Sequence, residues 1–538
     1  MRKTIKRLGA VLLAMAMAVS VLCTGALAAD TYSITVKSAV SGHTYEAYQV
    51  FTGTVATGEG KNKVLSDIEW GSGVNSVELV KELQSTENNP LGTDFSEKNT
   101  AADIAAVVAG YDSNKIKKFA TVVGKHLQTT ATGTSGEFNS TKQIYTISGL
   151  SAGYYLVKDK DNTVNAENHD AYTNYIMEVV QNVEVTPKTS VPTVTKKIVE
   201  NGDKKNATTA KVGDVVNFEL TGTLPDNYAD YTKYQYEFHD TLSKGLTYNG
   251  DVKVYVKNGK AETELASTSY VVDPANKQTT TPTNSTAITV KFTDLKANTV
   301  TGANEATVTI SKDSEIIVKY SATLNENAVV GEAGNTNTVN LVYSNNPNNT
   351  STGTTKDDKA TVYTFQLNVT KVDGTNSGTK LAGAKFKLYY ETDNTRYYVK
   401  EVTNDNTIKS WTNTENEALE LTTDSNGDIT VKGLKEGTYY LEETKAPDGY
   451  NKLTAPVKVD IANDSTDIHK LDSVKADGVD GIVSDDKAIG TITVANNKGS
   501  TLPSTGGMGT KLFYAVGGIL MAGAAIVLVV RKRRSDAE

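Results

Sequence analysis

Cysteine and histidine are scarce in this chain. One cysteine, Cys23, and five histidines are spread over 538 residues. A single cysteine excludes an internal disulfide framework. The histidines lack the spacing of metal ligands, and neither a Gly-x-Ser-x-Gly motif nor a phosphate-binding loop occurs. We therefore expect no metal, no cofactor and no site for substrate turnover.

Long apolar runs occur only at the two ends of the chain. At the N-terminus, four basic residues precede the apolar run 8–22, and Ala26-Leu27-Ala28 offers a small-residue cleavage site. This pattern predicts an export signal, residues 1–28, that is cut after Ala28. Cys23 lies inside the signal, and Leu22 before it argues against a lipoprotein. The exported chain therefore contains no cysteine.

The C-terminal apolar run, 512–530, is followed by four basic residues at 531–534. Its 19 residues at helical rise just cross a hydrocarbon core, and the basic end favours the cytoplasmic side. Just before the span stand five residues: Leu502, Pro503, Ser504, Thr505 and Gly506. They resemble the LPxTG sorting signal of Gram-positive surface proteins, which a sortase cleaves between Thr505 and Gly506. The order of pentapeptide, span and basic tail favours this interpretation over an ordinary single-span protein. It implies a secreted protein that the membrane holds until the cell wall receives it.

Acidic residues outnumber basic ones. The net charge is −8, and removing the predicted signal (net +4) and the tail after Thr505 (net +3) leaves −15. Such a chain is a poor partner for nucleic acid. Tyrosine (27) is far more frequent than phenylalanine (10), which suits half-buried sheet faces.

The pattern of short alternating runs predicts a mainly β fold of three tandem domains. Helical spacing interrupts the first domain at 77–83, 101–111 and 114–127, with Asp112 as a cap for the last segment. The second and third domains read as β-sandwiches throughout. The predicted divisions are an N-terminal domain 29–187, a middle domain 188–362, a C-terminal domain 363–500 and the sorting region 501–538.

Three polar residues fall on inward faces of the third domain. Because alternate residues of a strand share a face, Lys371 points inward with the apolar residues of 367–369. By the same parity Glu443 and Asn496 join the core. Burial favours a neutral lysine amine and a neutral carboxylic acid. The amine can attack the asparagine carboxamide, with the acid assisting, to form an amide and release ammonia. A buried Lys371–Glu443 ion pair, with Asn496 capping an edge, is the alternative on spacing alone.

A family resemblance favours the first interpretation. The segment 440–450, with the Val-x-Lys-x-Asp opening and the Val-x-Asn ending, resembles the collagen-adhesin B-type domains of sortase-assembled Gram-positive pilins. The resemblance implies that Glu443 promotes an isopeptide bond between Lys371 and Asn496, and it gives the sandwiches an Ig-like form.

The middle domain is similar to the middle domains of that family, which use aspartate as the acid. The resemblance implies Lys196, Asp240 and Asn337 as its triad. Parity favours Lys196 over Lys197, and which of the two forms the bond stays open at this point. In the first domain Lys158 occupies the position of the glutamate, so we expect no internal bond there.

One linker lysine completes the predicted site residues. The segment 183–188 resembles the pilin motif, with Thr186 in place of the usual tyrosine, and a solvated linker lysine is the alternative. The resemblance implies that a class C, pilus-type sortase joins Thr505 to Lys188 of an identical subunit. A housekeeping sortase would attach the polymer to peptidoglycan, with tip or minor pilins as further partners. The rival function is a monomeric wall-anchored adhesin.

Overall fold

The computed structural model describes residues 30–38, 41–58, 62–86, 89–161, 163–164, 170–187, 190–347, 349–499 and 508–535. The predicted export signal, the pentapeptide at 502–506 and Lys188 lie outside the described residues. Strands dominate the described part of the chain, which confirms the mainly β prediction.

The first region combines two sheets with three helices. One sheet has the order β5-β1-β8, and the other has the order β3-β2-β6-β7, with β4 paired to β2. The strands are β1 (Tyr32–Lys37), β2 (Tyr45–Thr57), β3 (Lys63–Trp70), β4 (Gly133–Thr134), β5 (Ile144–Leu150), β6 (Gly153–Asp159), β7 (Asn174–Val179) and β8 (Val183–Val185). The helices are α1 (Ser76–Gln84), α2 (Ala101–Val108) and α3 (Ser113–Gly124).

The helices form where the spacing predicts them. Thr100 caps α2 by accepting a hydrogen bond from the Asp103 amide at 3.1 Å. Asp112 caps α3 in the same way, with the Lys115 amide at 2.8 Å. Such caps satisfy backbone donors that have no partner inside the helix. The apolar residues of the three helices pack with Phe51 and other side chains of the sheet in one buried cluster.

The middle region is a sandwich of two seven-stranded sheets. The first has the order β10-β9-β12-β19-β15-β16, with β14 on β19, and the second has the order β11-β22-β20-β13-β18-β17, with β21 on β20. Two short 3-10 turns occur at Tyr228–Asp230 and Ser267–Ser269. The strands are β9 (Val194–Glu200), β10 (Asp203–Lys205), β11 (Ala207–Thr209), β12 (Val215–Gly222), β13 (Tyr236–Leu242), β14 (Leu246–Tyr248), β15 (Lys253–Asn258), β16 (Ala261–Glu264), β17 (Val271–Asp273), β18 (Thr286–Phe292), β19 (Ser314–Leu324), β20 (Asn335–Ser344), β21 (Thr352–Thr354) and β22 (Asp358–Tyr363).

The third region pairs a five-stranded sheet with an eight-stranded one. The smaller has the order β24-β23-β35-β34 with β29 on β23, and the larger has the order β27-β26-β25-β30-β31-β32-β33 with β28 on β25. A 3-10 turn lies at Glu415–Glu417. The strands are β23 (Phe365–Asp373), β24 (Asn376–Lys380), β25 (Lys385–Thr392), β26 (Thr395–Val402), β27 (Ile408–Thr412), β28 (Leu421–Thr422), β29 (Asp428–Leu434), β30 (Gly437–Lys445), β31 (Val457–Asn463), β32 (Leu471–Ala476), β33 (Val479–Asp480), β34 (Ile482–Val483) and β35 (Ile489–Asn496).

Contacts between the regions are specific. The Trp411 indole N–H donates to the Val212 carbonyl at 2.8 Å, and the apolar core continues from the middle region into the third. The Tyr172 amide of the first region donates to the Asn345 carbonyl of the middle region at 2.8 Å. These hydrogen bonds satisfy backbone groups that the contacts remove from water.

A single helix, α4 (Met508–Ser535), ends the described chain. Its segment Phe513–Arg533 has a mean hydropathy of 2.4 and is long and apolar enough to cross a membrane. Its large apolar side chains are exposed, as a lipid-facing helix requires. This helix matches the predicted span of the sorting region.

Candidate intramolecular cross-link sites

In the third region, strand order and register bring the three predicted residues together. Lys371 on β23 and Asn496 on β35 occupy neighbouring parallel strands, in which Lys371 lies opposite Val494. Glu443 comes from β30 of the facing sheet. Lysine and asparagine therefore share one sheet, and the acid reaches them across the sandwich.

The side chains of this cluster are in contact. The Lys371 ammonium nitrogen lies 3.3 Å from Glu443 Oε1, and both side chains are fully buried. Glu443 Oε2 accepts hydrogen bonds from Asn496 Nδ2 at 3.0 Å and from the Leu453 amide at 2.7 Å. The Asn496 amide nitrogen also donates to the Asn451 carbonyl at 2.7 Å. The acid thus contacts both the amine and the amide that would react.

Burial makes the lysine a better nucleophile. Desolvation lowers the pKa of Lys371, and the nearby Glu443 carboxylate opposes that shift. Within the described chain, Lys371 Nζ, Glu443 Oε1 and Asn496 Oδ1 are buried without a hydrogen-bond partner. Buried polar atoms without a hydrogen bond destabilise the folded domain, so a reaction that removes the buried charge is favourable.

The middle region builds its cluster differently. Lys196 lies on β9 of one sheet, whereas Asp240 on β13 and Asn337 on β20 are neighbours in the other sheet. Lys196 Nζ donates to both Asp240 oxygens at 2.7 Å. A bond between Lys196 and Asn337 would therefore join the two sheets rather than two strands of one sheet.

The lysine of this cluster is fully buried, and burial lowers its pKa to about 8 although Asp240 opposes the shift. Asn337 is also fully buried, and its Oδ1 has no partner among the described residues. The neighbouring Lys197 points outward and contacts Asn206. The geometry therefore places Lys196, not Lys197, at the acid.

Sequence reasoning missed one member of this cluster. The Tyr320 hydroxyl on β19 donates to Asp240 Oδ2 at 2.5 Å and accepts from Asn337 Nδ2 at 2.6 Å and from Lys196 Nζ at 3.0 Å. Burial and the Asp240 charge raise the pKa of Tyr320 far above its ordinary value, so the phenol stays neutral. The only signal in the sequence was a tyrosine at an inward position of an alternating strand.

The described part of the first region presents no comparable triad around Lys158 or Lys37. Lys158 is buried and makes its contacts with carboxylates, lying 3.1 Å from Asp161 and 3.6 Å from Glu46. Lys37 is half exposed and forms an ion pair with Glu184. Neither lysine contacts an asparagine side chain in the described structure.

The first region contains a buried histidine, His43, that lies between two carboxylates. His43 Nδ1 lies 2.7 Å from Asp159, and its Nε2 lies 2.8 Å from Asp170. Burial alone would lower the pKa of His43, but hydrogen bonds to both carboxylates and their charges raise it to about 9. The backbone carbonyl of Asp170 accepts a hydrogen bond from the Tyr343 hydroxyl of the middle region at 3.4 Å.

Three family models match separate segments of the chain. Residues 212–347 match the Gram-positive pilin backbone subunit 2, Cna-B-like domain, and residues 365–475 match the SpaA prealbumin-like fold domain. Residues 495–537 match the LPXTG cell wall anchor motif. The two domain matches contain most of the two clusters, and the third contains the pentapeptide.

Similar proteins agree with these matches. The trypsin-resistant surface T6 protein of Streptococcus pyogenes serotype M6 is 26% identical over 510 residues, covering 81% of this chain and 86% of that protein. The solved T6 backbone pilin of serotype M6 S. pyogenes, with a modular three-domain structure, is similar in fold with a TM-score of 0.50 at 18% identity, covering 88% of this chain and 99% of that one. The group B streptococcus pilus 2b backbone protein is 29% identical with a TM-score of 0.41. The match covers 57% of this chain and 99% of that one.

Sandwich domains, apolar helix and anchor motif together define a cell-wall-anchored, multidomain surface protein of Gram-positive type. More specifically, the two domain models and the T6 relative support a sortase-assembled Gram-positive pilin, which is a structural subunit. The resemblance seen in the motifs is thereby confirmed at the level of the family. The anchor match and the pilin backbone match imply processing by a sortase and polymerisation of subunits.

Proposed function

We propose that this chain is the backbone subunit of a covalent surface pilus, strengthened by one Lys–Asn isopeptide bond in each of its middle and third domains. The proposed domains are 29–187, 188–362 and 363–500. The observation that carries the proposal is the pair of buried lysine–acid–asparagine clusters in a wall-anchored pilin. A buried ion pair that only stabilises the fold does not require an asparagine side chain beside it, yet both clusters contain one.

The chemistry of the third cluster follows from its contacts. Lys371 gives a proton to Glu443, and the neutral amine attacks the Asn496 carboxamide carbon. Glu443 gives that proton to the departing amine, to which it is already hydrogen-bonded, and takes up the proton that the attacking amine loses. One C–N bond forms, one breaks, and ammonia leaves. The buried charge is replaced by an amide, so burial is no longer penalised.

The location of each bond suits a fibre under tension. In the third domain the bond joins the first strand, β23, to the last, β35, so force that enters one strand leaves through the other. In the middle domain it ties the two sheets together. Both bonds withstand reducing conditions, and the exported chain has no cysteine to make a disulfide.

Polymerisation would use groups outside the described residues. A class C sortase would hold Thr505 as a thioester, and the Lys188 amine of the next subunit would attack it. A housekeeping sortase would then attach the fibre to peptidoglycan, and tip or minor pilins would join it. The position of Lys188 between β8 and β9, where one sheet ends and the next begins, supports this role.

The assembly test uses cell-wall extracts boiled in detergent. We expect a ladder of high-mass bands in the wild type, and the Lys188→Ala variant should give a single band. Lys37→Ala removes an exposed lysine of the first domain and should leave the ladder unchanged. A single band in the wild type would instead indicate the monomeric adhesin.

The cross-link test uses the intact mass of the exported chain, residues 29–505. Its mass should fall short of the calculated value by two ammonia molecules, because each bond releases one. A full calculated mass would refute both bonds while leaving the polymer test intact.

A further inference from the structure

The two clusters differ in how the acid reaches the amide. In the third domain Glu443 Oε2 contacts Asn496 Nδ2 directly at 3.0 Å. In the middle domain the acid is Asp240, which is shorter by one methylene group. Its oxygens bind Lys196 and Tyr320, and Asn337 Nδ2 donates to the Tyr320 hydroxyl instead. A phenol therefore fills the gap that the shorter acid leaves.

The elements around Tyr320 hold its hydroxyl in place. Its ring stacks on Phe218 at 5.5 Å and meets Tyr248 edge-on at 5.9 Å. Phe218 is also its cross-strand partner, opposite it on β12. Because the ring packs against Phe218 and Tyr248, its hydroxyl is held where it contacts both Asp240 and Asn337.

We propose that Tyr320 is a catalytic residue of the middle-domain cross-link, passing a proton between Asp240 and the departing amine of Asn337. The inference rests on the proposed function, because it needs the Lys196–Asn337 bond to form. It adds a fourth reacting group that the third domain does not need.

The proton transfers balance. The Lys196 ammonium first gives a proton to Asp240, which leaves a neutral amine and a neutral acid. The amine attacks the Asn337 carboxamide carbon, and Tyr320 donates its proton to the amide nitrogen while taking one from Asp240. The bond from that carbon to Nδ2 breaks, and ammonia leaves. The proton lost by the attacking amine goes to Asp240, so the phenol ends as it began and the acid, which started as a carboxylate, ends neutral.

The direct test replaces Tyr320 with phenylalanine, which keeps the packed ring and removes only the hydroxyl. The reaction is followed in the full chain as the fraction of linked Lys196–Asn337 peptide against time after a pulse of synthesis. We expect middle-domain linkage to slow by about 100-fold, the size of a general acid–base contribution. The third-domain linkage in the same molecules should keep its wild-type rate. Wild-type rates for both bonds in Tyr320→Phe would overturn the proposal.

A packing control separates chemistry from structure. Phe218→Leu disturbs the same stack but keeps the Tyr320 hydroxyl. If Tyr320 passes a proton, Tyr320→Phe should slow linkage more than Phe218→Leu does. If Tyr320 has a purely structural role, Phe218→Leu should slow linkage more. Far-ultraviolet circular dichroism of each variant checks that its sheets have formed.

A second variant tests the inference without touching Tyr320. Glu443→Asp gives the third domain the shorter acid with no phenol beside it, so its linkage should slow by about 100-fold. A wild-type rate would show that the shorter acid needs no bridge and would overturn the proposal. If wild-type chains lose no ammonia in either domain, the proposed function itself fails, which is a separate result.

Discussion

Lys371→Met removes the third-domain nucleophile but keeps an unbranched apolar side chain in the core. The bond it prevents would enclose about 125 residues, from β23 to β35. By the chain-entropy estimate for cross-links, a loop of that length contributes about 5 kcal/mol. For a domain of this size each kcal/mol shifts the melting temperature by roughly 3 °C. We therefore expect the third-domain transition to fall by about 15 °C.

Glu443→Gln prevents the same bond but leaves the Lys371 amine buried without its carboxylate. Removing one partner of a buried pair costs about 3–5 kcal/mol in addition. In Lys371→Met the Glu443 carboxyl group still accepts hydrogen bonds from Leu453 and Asn496, whereas in Glu443→Gln the Lys371 amine keeps no carboxylate, so Glu443→Gln should melt below Lys371→Met. The loop entropy cancels between the two variants, so their difference compares a buried amine without its carboxylate with a buried carboxyl group without its amine.

Differential scanning calorimetry of residues 29–505 measures both transitions, after mass spectrometry has counted the ammonia lost. Lys385→Met is the matched control, since it replaces an exposed lysine of the same domain that pairs with Glu420. Its bond should form and its transition should stay near that of the wild type, because exposed ion pairs contribute little. If Lys371→Met melts with the wild type, the cross-link is absent or contributes nothing, and the reasoning is wrong.

Three further predictions concern the other regions. The pKa of His43 rises from 6.5 to about 9 on folding, so protonated His43 should stabilise the first domain by on the order of 3 kcal/mol below pH 6.5. This stabilisation should be lost as the pH rises from 6.5 through 9. His43→Gln should flatten that dependence in thermal melts between pH 6 and 10, and an unchanged slope would contradict the assignment. Asn337→Ala should reduce the ammonia lost by one molecule, whereas its outward neighbour Asn340→Ala should leave the loss at two, as intact masses will show. Trp411→Phe should destabilise the chain by about 1 kcal/mol in denaturant melts, since it leaves the Val212 carbonyl unpaired. A midpoint equal to the wild type would show that water replaces that bond.

Strand alternation was sufficient to predict orientation. Side chains of a strand alternate between two faces, so the inward positions of Lys371, Glu443 and Asn496 follow from their apolar neighbours two residues away. The same rule separates Lys196 from Lys197. These predictions need no knowledge of which strands are neighbours, and that is why the local pattern sufficed.

Alternation could not predict which residues meet. Tyr320 lies inward like many core tyrosines, and only the crossing of β19 over β13 and β20 brings its hydroxyl to the acid. The carboxylates on both sides of His43 are likewise far from it in sequence. Contacts of this kind depend on sheet order and register, which the packing of the whole domain decides.

The sequence by itself determined the destination of the protein, which is the cell surface, and the strand faces on which the lysine, acid and asparagine side chains lie. Export and sorting signals are short linear patterns that other proteins read, and parity is a property of each strand alone. Only the tertiary structure decided that one proposed cross-link would lie within a sheet, that the other would join two sheets, and that a phenol lies beside the second. A reaction between side chains requires contact at about 3 Å, and residues over a hundred positions apart reach that distance only when the domain has folded.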